Sequence, residues 1–184
     1  MPSASFNQRD AAPSGQGAHV RNAEIFIDPA TQREIASGDE PLWGQFLRTW
    51  EALVAAKGRY PARAEIDPAA LGAKLLPNVF LVDVIGAPGA RQPRYRYRLL
   101  GQAIIDREPT RAGAYLDEIG ATADIDQIEE HYAGCLDGKV WIRDSNLTWT
   151  DPRGSYLRYR ALMLPLSDDG VSVTHLIGLA LYEF

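Results

Sequence analysis

The sequence predicts an α+β protein: a five-stranded antiparallel sheet with helices covering one face, preceded by an N-terminal helical extension. Three observations carry that expectation. Arg94-Tyr95-Arg96-Tyr97-Arg98-Leu99-Leu100-Gly101 alternates basic and apolar residues with period two, the mark of a strand with two unlike faces. Tyr95, Tyr97 and Leu99 fall on one face; Arg94, Arg96 and Arg98 fall on the other. Just before it, the β-branched and aromatic run Val79-Phe80-Leu81-Val82-Asp83-Val84-Ile85 reads as a buried strand, and Gly86-Ala87-Pro88-Gly89 as the loop of a hairpin. Three further strand-like runs follow at about 140–149, 156–166 and 172–182, separated by Asp151-Pro152-Arg153-Gly154 and Ser167-Asp168-Asp169-Gly170. Helical segments lie between the second and third strands, where they cover one face of such a sheet.

Bulk properties bound the rest. A chain of 184 residues is long enough for one domain with extra segments. Its 46% hydrophobic and 23% charged residues are ordinary for a globular protein. A net charge of −5 argues against general nucleic-acid or anionic-membrane binding, which needs a cationic field. Cys135 is the single cysteine, which excludes an intrachain disulfide and a cysteine-based zinc site and fits the cytoplasm. No apolar run approaches the ~18 residues of a membrane span. The N-terminus lacks a charged-then-apolar signal pattern.

Residues 1–38 read as a flexible N-terminal tail, because the first 22 or so are rich in Ser, Gly, Ala, Pro and Gln and poor in large apolar residues. Within it, Ile25-Phe26-Ile27 is either a short strand or a docking segment. Residues 39–75 form the helical extension. Its first helix runs from about Glu40 to Lys57, with Pro41 in the first turn and Gly58 as the stop. Leu42, Trp43, Phe46, Leu47, Trp50, Leu53 and Val54 recur at helical spacing. This stripe packs either on its own domain or on a second copy. Trp43, Leu47, Trp50 and Val54 are the candidate dimer interface. Asp67-Pro68 opens a second helix through about Lys74.

The main domain spans residues 76–184. After Gly101, short helical pieces at Ala103–Arg107 and Ala114–Ile119 are separated by Pro109. A longer helix follows over Asp124–Asp137, with Ile125, Ile128, His131, Tyr132 and Cys135 on related faces, ended by Gly138.

Four motifs in order resemble the bacterial PAS-like family of small, mostly single-domain proteins. They are Leu76-Pro77 leading into Phe80-Leu81-Val82-Asp83-Val84, then Arg96-Tyr97-Arg98-Leu99-Leu100-Gly101 followed by Ile104. Next come Gly113-x-Tyr115-Leu116-Asp117-Glu118 and Leu162-x-Leu164-Pro165-Leu166-Ser167-Asp168-Asp169-Gly170, with Gly178 near the end. The resemblance covers roughly residues 40–184. One departure stands out: the family has a further glycine in the region where this chain has Arg107-Glu108-Pro109-Thr110-Arg111. The resemblance implies sensing or protein interaction rather than a reaction.

The candidate ligand-binding residues are Arg98, Tyr97, Tyr115, His131, Trp141 and Arg160. Arginine offers a planar fork suited to carboxylate or phosphate, so Arg94, Arg96, Arg98, Arg158 and Arg160 form either an anion-binding row or a solvated sheet face with ion pairs. Arg98 contacts a ligand or holds the fold by pairing with Asp83 or Asp117. Haem-binding PAS domains take an axial ligand from the longer helix, where His131 lies. A lone histidine is more simply a core or surface residue. Covalent flavin chemistry is disfavoured, since Cys135 sits on the longer helix rather than on the early short ones. Trp141 and Trp149 share a strand face and read as core or interface more readily than as a cofactor clamp.

No metalloprotease, nucleophile-elbow, phosphate-loop or dinucleotide glycine pattern is present, so no enzyme is expected. The sequence predicts a stand-alone, cytoplasmic, dimeric sensory module. A small molecule sits between sheet and helices, and a signalling protein reads the change. The alternative is an interaction module with a filled core and no ligand. The identity of the ligand or cofactor is not written in the sequence.

Overall fold

The computed structural model describes residues 25–27, 42–86, 93–108, 110–119, 125–137, 140–150 and 156–182. The rest of the expected tail and the turn at Asp151-Pro152-Arg153-Gly154 lie outside these residues. The strands are β1 (Ile25–Ile27), β2 (Val79–Ile85), β3 (Arg94–Leu100), β4 (Val140–Thr150), β5 (Tyr156–Leu166) and β6 (His175–Tyr182). They form one sheet in the order β1-β4-β5-β6-β2-β3. Five of them pair antiparallel; β1 joins parallel to β4, with Ile25 opposite Val140 and Ile27 opposite Ile142. The expected five-stranded sheet is thus six-stranded. The sixth strand is the Ile25–Ile27 cluster, whose β-branched residues suit an edge.

The helices are α1 (Leu42–Lys57), α2 (Gly72–Leu75), α3 (Gln102–Ile105) and α4 (Ile125–Leu136). The helix expected over 67–74 divides into a 3-10 turn at Pro68–Leu71 and α2. Gly72, at φ 72°, marks the break.

Helices cover both faces of the sheet, not one. On the first face, Phe80, Val82, Tyr95, Tyr97, Leu100, Met163 and Leu176 pack with Ile104, Leu116, Ile128 and Tyr132 of the inserted segments. On the second, Val79, Leu81, Leu162, Leu164 and Leu179 pack with Trp43, Phe46, Leu47 and Trp50 of α1. β2 contributes to both cores by alternation, which is why it reads as an unbroken apolar run. Trp50 is 2% exposed, and its indole Nε1 donates to the Pro165 carbonyl at 2.9 Å. Its ring stacks on Tyr60 with centroids 6.0 Å apart.

That packing corrects the candidate dimer interface. Trp43, Leu47 and Trp50 are buried in the chain's own core, and Val54 packs half-buried against it. A second copy has no access to them without displacing α1 from the sheet.

A bulge corrects the phase of β3. Leu81 pairs with Leu99 but Val82 pairs with Tyr97, so Arg98 is the extra residue. Past it the faces exchange. Leu100, rather than Leu99, joins Tyr95 and Tyr97 in the core, and Leu99 is 46% exposed.

Two motif glycines are explained by close approach. A Cβ on Gly101 would lie 2.2 Å from the Pro77 carbonyl oxygen, and one on Gly178 would lie 2.2 Å from Phe80 Cζ. The Ser167–Gly170 turn is held by Asp169, which accepts from the backbone N–H of Val171 and Ser172, both at 2.8 Å. The Ser167 N–H donates to Pro61 O, and Asp168 accepts from the Arg63 N–H, both at 2.9 Å. These bonds fix the β5–β6 connection to the segment after α1.

Candidate functional site

Where the edge strand β3 meets α4, the first face opens into a cleft of about 500 Å³. That volume falls within the roughly 300–1,000 Å³ of small-molecule sites. Tyr95 and Leu116 line it from the core side, and Ala133 of α4 lies opposite. Arg94 forms one wall. Its Nε donates to Asp117 Oδ2 at 2.9 Å and its Nη2 to Asp117 Oδ1 at 2.8 Å, with Glu118 at 3.3 Å. The guanidinium carbon lies 3.8 Å from the Tyr115 ring centroid. Hydrogen bonding from Arg94 holds the Asp117 carboxyl below its ordinary range. Asp126, Glu129 and Glu130, which share one helix face by their spacing, complete the rim.

A row of buried phenols runs inward from this cleft. Tyr95 meets Tyr132 edge-on at 5.0 Å, and the Tyr132 and Tyr97 hydroxyls are hydrogen-bonded at 3.1 Å. Burial pushes the Tyr95 phenol up to about 12, and the charges of Glu129 and Cys135 add to it. Burial raises Tyr97 further, and Glu108 adds to it. Glu108 is 7% exposed; the Tyr182 hydroxyl donates to its Oε1 at 2.5 Å. Burial pushes the Glu108 carboxyl up to about 7 against the opposing effect of that bond. Two residues on, Thr110 Oγ1 is buried without a hydrogen-bond partner.

Sequence reasoning did not single out Glu108, because Asp106-Arg107-Glu108-Pro109-Thr110-Arg111 has the composition of a solvated loop. The one available signal is that this stretch lacks a glycine that the sequence resemblance leads one to expect there.

The other two arginines of β3, Arg96 and Arg98, turn to the opposite face. Asp83, 4% exposed, accepts from Arg98 Nε on Oδ1 at 2.7 Å, and from Arg96 Nη2 on Oδ2 at 2.7 Å. Burial pushes this carboxyl up, but the two arginines, with His175 beside them, hold it below its ordinary range. His175 Nε2 is 3.4 Å from Asp83 Oδ1, and burial lowers the imidazole. Arg98 is therefore ion-paired with Asp83, on the face away from α4 and the cleft. The arginines at 94, 96 and 98 are ion-paired rather than a free anion-binding row.

The remaining expected residues scatter. Tyr97 is buried in the first-face core, bonded to Tyr132 inward of the cleft, and Tyr115 lies against Arg94 at its edge. His131 is buried on α4 at 5% exposed, and Cys135 is fully buried on the same helix. Arg160 is half-buried on β5 opposite Asp144 and Leu181. The Trp141 backbone pairs with Phe26 and Met163; its side chain, like those of Trp149 and Arg158, lies outside the described residues. Among the described residues, no group of three or more His, Cys, Asp or Glu is placed to hold a metal ion. Nor is any described helix long and apolar enough to cross a membrane.

The fold is that of an α+β protein, a mixed sheet between two helical layers. No family model and no curated protein matches the chain. Solved structures do. One, described as "Flavin Analogue Sheds Light on Light-Oxygen-Voltage Domain Mechanism", aligns over 63% of this chain and 82% of its own at 15% identity, with a TM-score of 0.42.

Proposed function

We propose that this chain is a PAS-like sensory module that binds a small molecule between its sheet and α4 and signals through a protein partner. The observation that carries the reading is the cleft over Tyr95. It lies at the seam between sheet and helices and is bounded by Arg94, Asp117 and Glu129. Hydrogen-bonding groups on an apolar floor are what a small-molecule site requires. The insertion of α3, the Leu116–Glu118 turn and α4 between β3 and β4 supports the PAS-like reading, as do the four ordered motifs. A ligand there touches β3 and α4 together. Signalling requires that it prefer one arrangement of the two over the other. The reading places the protein in the cytoplasm as a homodimer that pairs through a surface other than the α1 stripe.

The test is native mass spectrometry of freshly purified protein, with the denatured mass beside it. A reproducible extra mass on the folded form alone supports ligand binding. A bare folded protein contradicts it and favours an interaction module. Leu99 and Ile105, each 46% exposed, support that second reading as apolar surface near Gly101.

A further inference from the structure

Glu108 makes one side-chain hydrogen bond, from Tyr182, and no ion pair among the described residues. Carboxylates are almost never this buried without a cation. The groups around it come from β6, β3 and its own stretch. β6 contributes the Tyr182 hydroxyl, and β3 contributes Tyr97, whose phenol feels the Glu108 charge. Behind Tyr97 lies Tyr132 of α4, bonded to it through the hydroxyls. From the same stretch comes Arg107, whose guanidinium carbon lies 5.1 Å from the Tyr182 ring centroid and whose Nη1 donates to Ala103 O at 3.1 Å. The bond joins the stretch leaving α3 to the last residue of β6.

We propose that Glu108 and Tyr182 form a proton-controlled latch between the end of α3 and the end of β6. Protonated, the carboxyl is a neutral group tolerated among phenols and apolar side chains. When it gives its proton to solvent, a charge is left in the core with one hydrogen bond and no counter-ion among the described residues. Moving the stretch outward rehydrates it. That movement breaks the Glu108 N–H bond to Ile104 O and lifts Arg107 from the Tyr182 ring, next to Asp106, which is already exposed. With the carboxyl at about 7 when closed and near the ordinary 4.5 when open, the closed form loses population as pH rises between those values. Between pH 5.5 and 8.5 the closed-to-open ratio falls about 30-fold. The latch lies at the opposite end of β3 from the cleft and does not depend on a ligand there.

Hydrogen exchange of the full chain tests this. The Glu108 amide bonds Ile104 O at 2.8 Å, so its protection reports the latch directly. After correction for intrinsic base catalysis, its protection is expected to fall by about 30-fold from pH 5.5 to 8.5, while amides of central β5 keep theirs. Glu108→Gln, a neutral isostere, is expected to abolish the fall. An identical profile in wild type and Glu108→Gln overturns the proposal, as does a fall shared equally by β5. Should Glu108→Gln not fold, Tyr182→Phe serves in its place. It removes the bond that lowers the carboxyl, so the midpoint moves to higher pH; an unmoved midpoint overturns the latch.

Discussion

Arg98 reaches Asp83 through its Nε at 2.7 Å, from the one residue of β3 that has no partner of its own in the ladder. The bulge thus does two things. It turns Leu100 into the core, and it brings a second guanidinium onto a carboxylate that Arg96 already holds. Replacing Arg98 by Ala leaves Asp83 buried with one arginine. The expected cost is about 1–2 kcal/mol, reduced by the 44% exposure of the Arg98 side chain. Asp83→Ala leaves two adjacent arginines unpaired and is expected to cost about 3 kcal/mol. Urea denaturation of both variants checks the order. A larger loss in Arg98→Ala than in Asp83→Ala contradicts it.

Trp50 anchors α1 to the second face by burial and by its bond to Pro165. Trp50→Ala is expected to cost about 3–5 kcal/mol, and Trp50→Phe, which keeps most of the packing, about 1–2 kcal/mol. Size-exclusion chromatography with light scattering at matched concentration is expected to show the same oligomeric state for Trp50→Phe as for wild type. A change of state would return the α1 stripe to an interface role.

Gly101 and Gly178 differ in what stands against them. At Gly101 all three nearest atoms are backbone, led by Pro77 O at 2.2 Å; at Gly178 the nearest is the Phe80 ring. A ring can turn aside more easily than a backbone can shift. Gly101→Ala is therefore expected to be the more damaging, at about 3 kcal/mol or more, with Gly178→Ala at about 2 kcal/mol. Phe80→Leu is expected to relieve part of the second and none of the first. Thermal unfolding of the single and double variants reads this.

The pH dependence carries opposing contributions. Burial lowers His175 from its ordinary 6.5, so the unfolded chain takes its proton first. Stability from this residue is present above pH 6.5 and is lost as pH falls below it. Asp83, held below its ordinary 3.8, adds a second loss as pH falls through its folded value. Glu108 works in the other sense, since its carboxyl is raised. Chemical denaturation of His175→Gln at pH 7 and pH 5.5 is expected to show a smaller acid loss than wild type. An equal loss would mean that the imidazole titrates alike in both states.

Much of this architecture is legible in the residues. The period-two run at 94–100 separates the tyrosine face from the arginine face as read, because an alternation of unlike side chains has only one way to bury its apolar half. It fails at Leu99, since a bulge depends on pairing across strands and leaves no mark in local periodicity. The α1 stripe shows that a helix buries one side but not against what. Trp43 and Trp50 look the same whether the cover is a sheet or a second copy. Glu108 was illegible for a similar reason. Its burial is produced by Tyr182, 74 residues away, and by Tyr97, and no neighbour in sequence announces it. Asp117 was legible as a partner for arginine, though for Arg94 rather than Arg98.

The cleft over Tyr95 is the centre of the account, and Ala133 offers the cleanest way to close it. This residue lines the cleft from α4 and is exposed, so a larger side chain fills the space without entering the core. Native mass spectra of wild type and Ala133→Trp, with circular dichroism to confirm equal folding, test the site directly. A bound small molecule is expected on folded wild type and is expected to be absent or strongly reduced in Ala133→Trp. A bound mass equal in both proteins, or a bare wild type, would contradict it.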